Sequence, residues 1–323
     1  VIGGVIVGHL SWRWIFYVNA PICLLAILLA WRGLPSDPAP RRSRLDVVGL
    51  LLLSPALAAL VYALSEVGSK GGSHKVVIPL AARALLLAGF LGHALGATVP
   101  LIDLRLFRVR SFAASQALLF ASGLALFGSM LLLPIYYQQL RGASVIAAGL
   151  LLAPQGLGSL LARPVGLVTD RIGPRPVILT GLACTVLGTL PFALADQHTS
   201  NLILSGALIV RGLGLSAVQM AVMVGAYRDL QPEQIPHASS TTRIMQQLGG
   251  ALSAAVLAVV LQRQLATHYG ATGQATAFGH TFFWALAFSA LAVIPALLLP
   301  RTPHQRGQSD NAPTTDRRAV ERS

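Results

Sequence analysis

The chain has 323 residues, 54% of them hydrophobic and only 11% charged, with a mean hydropathy of +0.67. A soluble domain carries about 25% charged residues and about 45–50% apolar ones, so an ordinary soluble protein is excluded and an all-α polytopic membrane protein is predicted. The formal charge of +13 suggests nucleic acid, but the basic residues lie in loops between apolar runs and form no patch interleaved with aromatics, which excludes that partner.

The sequence opens VIGGVIVGHLSWRW, without methionine or a charged region ahead of an apolar core. That is not a signal peptide; the expectation is an N-terminally truncated fragment beginning inside a transmembrane helix. After the stub Val1–Gly8, apolar runs follow at Val18–Ala30, Leu45–Leu64, Val76–Val99, Phe112–Tyr137 and Val145–Ala162. Further runs are Val177–Ala195, Leu202–Ala226, Ile244–Leu261 and Thr281–Leu299. With ~20 residues needed to span a bilayer, these give about nine complete transmembrane helices plus the stub. Cys23 and Cys184 sit inside apolar runs, where a thiol behaves as a small hydrophobe.

Lysine and arginine collect in alternate loops. One set carries Arg32, Arg41, Arg42 and Arg44, then Arg105, Arg108 and Arg110, then Arg163, Arg171 and Arg175, then Arg228 and Arg243, then the tail from Arg301. The other set has only Arg13, Lys70, Lys75, Arg141 and Arg263. The asymmetry places the first set and the C-terminus in the cytoplasm of a multi-pass protein of the cell (inner or plasma) membrane. The Pro-, Gln-, Ser- and Arg-rich tail reads as disordered.

Between two apolar runs, Arg163–Val177 reads RPVGLVTDRIGPRPV, a short charged loop. Its glycines suit tight turns where helices end close together, and one buried-looking carboxylate, Asp170, stands among three arginines. That set suits a charge-assisted lock that holds one conformation and breaks in the other; alternatively the arginines mark the cytoplasmic side as in any membrane loop. Gly166, Asp170, Arg171, Gly173 and Arg175, in the order G-x-x-x-D-R-x-G-x-R, resemble the signature gating loop of the major facilitator superfamily of secondary transporters.

The resemblance extends along most of the chain. Gly3 and Gly4 with LSWRWIFYVNAP (Leu10–Pro21), RRSRLDVVGLLLL with Arg44 and Asp46, Leu133–Gly166, and RIMQQLGGALSAAV (Arg243–Val256) are similar to segments of the fourteen-span drug:proton antiporter family of that superfamily. It implies two six-helix bundles with two helices inserted between them and a substrate path at the bundle interface. Residues 1–34 would then end the N-terminal bundle, 35–110 hold the two inserted helices, 111–300 form the C-terminal six-helix bundle, and 301–323 be the tail. The fold is thus a partial major facilitator fold, and the glycine pair Gly3–Gly4 part of a motif associated with antiport.

Ionisable and polar residues inside spans are functional candidates by default. Arg211, near the middle of its helix, either pairs with an anionic substrate, a carboxylate or a helix C-terminus, or is a structural cation satisfied by carbonyls beside Gly212 and Gly214. Arg83 is close enough to Lys75 to snorkel outward, and His93, with no visible carboxylate partner, reads as a packing residue. Asp46 and Glu66, at opposite ends of one span, read as solvated interface charges. Gln116, Gln155 and Gln219 are candidates for a pathway. Tyr136 belongs either with them or, with Tyr137, to an aromatic belt. Pro154, Gly156 and Gly158 suit a bending or a statically kinked span, and Gly249 and Gly250, like Gly212 and Gly214, suit close helix packing.

No H-E-x-x-H, G-x-S-x-G or G-x-x-x-x-G-K-[ST] occurs, so zinc hydrolase, serine hydrolase and nucleotide-driven pump lack their minimum chemistry. The expected function is a secondary active transporter, not an enzyme. With the resemblance, it is proton-coupled efflux of small amphipathic or cationic substrates by alternating access, without metal or cofactor. The alternatives are a transport-incompetent fragment or a transporter-like sensor or binding protein.

Overall fold

The computed structural model describes residues 13–33, most of 46–55, isolated positions between 58 and 96, 107–227 apart from 197, 235–267 and 270–299. The stub with Gly3 and Gly4, most of the expected spans 45–64 and 76–99 with Glu66, Lys75 and Arg83, and the tail lie outside the described residues. The described residues form helices and no strand. In chain order these are α1 (Trp14–Gly33), α2 (Arg110–Ile135), α3 (Val145–Leu151), α4 (Ala153–Leu161) and α5 (Val165–Ile172). Then come α6 (Pro174–Leu194), α7 (Asn201–Tyr227), α8 (Ile235–Thr267), α9 (Gly270–Leu291) and α10 (Val293–Leu298). Six helical segments are long and apolar enough to cross a membrane, and a seventh span is broken, with α3–α4 and α5 meeting at 43°. The chain is a multi-pass membrane protein.

Two expected boundaries move. α8 begins at Ile235 rather than Ile244, and α9 at Gly270 rather than Thr281. Polar residues such as Thr241 and Thr242 end an apolar run in the sequence, yet both are buried against the bundle and keep their helix going. The run Val145–Ala162 is likewise two helices, because α4 restarts at Ala153 with Pro154 in its first turn, where a missing N–H costs nothing.

Helices α2 to α10 pack together, most extensively α7 on α6 and α8 on α2. Glycine sets the spacing at both seams. A β-carbon on Gly249 would collide with the Phe120 carbonyl, on Gly123 with that of Gln246, and on Gly250 with the Phe127 ring. On α7, a β-carbon on Gly212 would strike the Gln155 carbonyl and one on Gly214 that of Gly181. Without lipid-versus-protein hydrophobicity to drive association, such backbone approach is what holds membrane helices together.

The bundle has two apolar cores. At the outer end, Tyr136, Tyr137, Phe192, Phe278 and Phe282 meet edge-on with Tyr136 at the centre, its ring centroid 5.3–5.9 Å from the others. Both tyrosines are fully buried, so they do not form the lipid-facing belt considered from sequence. They sit where α2 runs on as a π-helix, Tyr136–Leu140. The other core joins Leu118, Leu119, Ile178, Leu182 and Val218. Between them runs a buried polar layer of Ser122, Ser129, Thr185, Thr189, Arg211 and Ser253.

At the outer rim, Arg141 donates to the Asp196 carbonyl (3.2 Å), the Thr199 carbonyl (2.7 Å) and Asn201 Oδ1 (2.6 Å), tying the end of α2 to the α6–α7 turn. Within that turn, the Thr199 hydroxyl and the His198 N–H hold the Asp196 carboxyl below the usual carboxylate range. Those bonds therefore persist until pH falls through the lowered value.

Gly249→Val should lower the thermal unfolding temperature in detergent by the equivalent of about 1–3 kcal/mol through overpacking. Gly206→Ala, where a β-carbon meets nothing within 4 Å, should leave it unchanged or slightly higher. Equal unfolding temperatures for the two variants would contradict the packing role of the α2–α8 seam.

Candidate functional site

The stretch 163–177 is not an open loop. Residues 165–172 form α5, with the Thr169 hydroxyl bonded to the Val165 carbonyl at 2.8 Å. Only Gly173 makes the sharp turn, at φ 87°, where a side chain would be strained. Its N–H caps α5 on the Thr169 carbonyl at 2.9 Å, and Pro174 starts α6. Gly166 lies in the helix with open space where a β-carbon would be. Asp170 is exposed, not buried as expected: on an eight-residue helix the buried position is its neighbour Thr169. Arg163 and Arg171 are exposed and Arg175 half-buried. Among the described residues no ion pair joins Asp170 to any of the three.

Arg211 is the largest fully buried side chain described, 1% exposed at mid-length in α7. Its guanidinium reaches three other helices. Nε donates to Thr189 Oγ1 on α6 (3.1 Å), Nη1 to Gln155 Oε1 on α4 (3.2 Å), and Nη2 to the Ala125 carbonyl (3.1 Å) and to Ser129 Oγ, both on α2. Gly212 and Gly188 let α4 and α6 come close enough for these bonds. Every acceptor is neutral. The described carboxylates, Asp46, Asp170 and Asp196, all lie elsewhere.

Beside this cation lies polar free space. A cavity of about 300 Å³ is lined by Ser122, Gln155, Ser159, Ser216, Gln219 and Gln246 with Leu126 and Leu215. Gln246 Nε2 donates to Gln219 Oε1 at 2.7 Å, and the Ser122 hydroxyl reaches the same oxygen at 3.5 Å. A second cavity, about 360 Å³, shares Leu126, Gln155 and Ser159 and adds Ser129, Met130, Leu133 and Leu152. Three of the sequence candidates thus come together: Arg211, Gln155 and Gln219. Gln246 was missed, although its place among the polar residues of RIMQQLGG could have marked it.

The other candidates lie apart. Gln116 is fully buried near the cytoplasmic end of α2, its amide N–H on Thr242 Oγ1 at 3.2 Å and its Oε1 without a partner; it borders a separate apolar groove with Phe107, Phe120 and Met245. Tyr136 belongs to the aromatic core, not to either polar cavity. Asp46 and His93 also differ from expectation. Asp46 is only 7% exposed, caps the helix start at Gly49 N–H (2.8 Å) and meets His93 Nε2 at 2.8 Å. Two antiparallel spans bring together residues that sequence distance separates.

The family model described as the Major Facilitator Superfamily matches residues 1–254. The chain is 38% identical over 270 residues to a "Multidrug resistance protein B homolog" of Mycobacterium tuberculosis, covering 82% of this chain and 50% of that protein. It is 32% identical to the "Puromycin resistance protein pur8" of Streptomyces alboniger (89% and 59% covered) and 27% identical to the "Lincomycin resistance protein LmrB" of Listeria innocua (80% and 56%). The chain spans about half the length of the first of these relatives.

Thr189→Val keeps the shape of the site but removes the acceptor for Arg211 Nε, and should cost about 1–3 kcal/mol of stability, read by thermal unfolding in detergent. An unchanged unfolding temperature would mean that the guanidinium is not held by this layer.

Proposed function

The chain belongs to the Major Facilitator Superfamily, and on that premise we propose that it works in the export of small amphipathic molecules, coupled to protons, by alternating access. Relatives named for resistance to several drugs, puromycin and lincomycin support export. The observation that carries the reading is the polar cavity at half-height of an apolar bundle, beside a span broken twice. Transporters place binding groups on such discontinuous helices near the bilayer midplane. Leu126, Met130 and Leu133 offer an amphipathic molecule its apolar wall, while Gln155, Gln219 and Gln246 offer hydrogen bonds. A cationic substrate gains no support here, since no described carboxylate faces the cavity.

The domain plan follows the fourteen-span antiporter family: residues 1–34 end a first bundle, 35–110 insert two helices, and 111–300 form the C-terminal bundle. The arginine distribution supports a cell-membrane protein whose 163–177 turn and C-terminus face the cytoplasm. Asp170 and Arg171, exposed on α5 beside the rigid Gly173 turn, are placed to close on another element in one conformation and release it in the other. That supports a gate at Gly166–Arg175.

The test is efflux of ethidium and carboxyfluorescein from cells producing the protein from its own gene. Lower dye accumulation that a protonophore abolishes is expected for at least one dye; efflux that survives the protonophore would sink the coupling, and none above background would sink export. Asp170→Asn and Arg171→Ala should each slow efflux about tenfold, the equivalent of about 1.4 kcal/mol, with little change in dye affinity. Equal loss of affinity and rate would argue against a gate.

A further inference from the structure

We propose that the cavity beside Arg211 is a binding subsite for an organic anion, taking the carboxylate of an amphipathic monoanion at the layer formed by Ser129 and Gln155. The inference rests on reading this cavity as part of the transport path. Arg211 bonds both Ser129 and Gln155, and both line the same free space of about 360 Å³. One layer of neutral side chains therefore separates a fully buried guanidinium from the cavity. Its bonds satisfy the donors of Arg211 but leave its charge uncompensated among the described residues, and a buried cation without a counter-charge attracts one strongly.

The layer is built to open. Gln155 Oε1 holds Nη1 at 3.2 Å, a long bond for a charged donor. Gln155 stands on α4 a turn after the break at Leu152, where the chain bends most readily. Rotation of its amide exposes Nη1 to an incoming carboxylate, which brings a full charge where the amide brought a dipole. Ser159 is within reach of the same headgroup, and Leu126, Met130 and Leu133 accept its apolar body.

Equilibrium dialysis of the purified protein in detergent with 1-naphthoate and its neutral isostere 1-naphthamide tests this. The wild-type protein should bind the acid at least about tenfold more tightly than the amide, the margin expected for one desolvated charge pair, and Arg211→Gln should reduce the preference to within about twofold. Because Arg211→Gln also disturbs a packed layer, Gln155→Glu is the decisive variant. It puts a carboxylate of nearly the same shape against the guanidinium, so it should keep or raise the unfolding temperature while abolishing naphthoate binding. No measurable naphthoate binding, equal affinity for acid and amide, tighter binding of the cation 1-naphthylmethylamine, or unchanged naphthoate binding in Gln155→Glu would each overturn the subsite. Binding is read without transport: a protein that binds naphthoate through Arg211 but exports no dye would refute export and keep the subsite, and one that exports dye without this preference would do the reverse.

Discussion

A single guanidinium without a counter-ion organises the bundle. Moving Arg211 into an apolar interior is costly, and the fold offsets that cost with acceptors from three helices: a backbone carbonyl and a serine on α2, a threonine on α6 and an amide on α4. Each acceptor must stay in register, so the relative height and rotation of α2, α4, α6 and α7 are tied together at this level. The apolar cores above and below can tolerate small slips of side chain against side chain. This layer cannot, because a displaced helix would leave a buried charge or a buried acceptor unpaired.

The glycines make that arrangement possible. Arg211 is long, but its bonds to Gln155 and Thr189 require the α4 and α6 backbones to lie almost against α7, and Gly212 and Gly188 remove the β-carbons that would prevent it. The same device at Gly123, Gly249 and Gly250 joins α8 to α2. Between these two seams some space is left unfilled, and its walls are amides and hydroxyls. Close backbone contact on either side and an unfilled polar gap between them are two results of one distribution of small and large residues.

Much of this was legible in the sequence. Length and apolar character located the seven spans that fall among the described residues, because a bilayer imposes one thickness on all of them. Arg211, Gln155 and Gln219 were legible as polar residues in apolar surroundings. Thr189 and Ser129 were not: each also bonds a carbonyl of its own helix one turn back, at 2.7 and 2.6 Å, an ordinary habit of hydroxyls in membrane helices that conceals a second partner. Asp170 shows the opposite failure. The charge pattern around it suggested burial, whereas exposure on so short a helix depends on its angle about the axis. Tyr136 and Tyr137 were misplaced for a related reason, since adjacent residues on a regular helix point about 100° apart and would not both be expected to face the core.

The π-helical turn at Tyr136–Leu140 is what lets them. A wider turn advances the chain by fewer degrees per residue, so two neighbouring tyrosines share one face and Arg141 emerges directly over the α6–α7 turn. The outer rim is therefore keyed to a residue count. One residue fewer in this segment would restore regular winding and barely change the helix length. It would swing Arg141 away from Asp196, Thr199 and Asn201 and turn one tyrosine toward lipid, so this stretch has little freedom to gain or lose a residue even though it lies at the edge of the bundle.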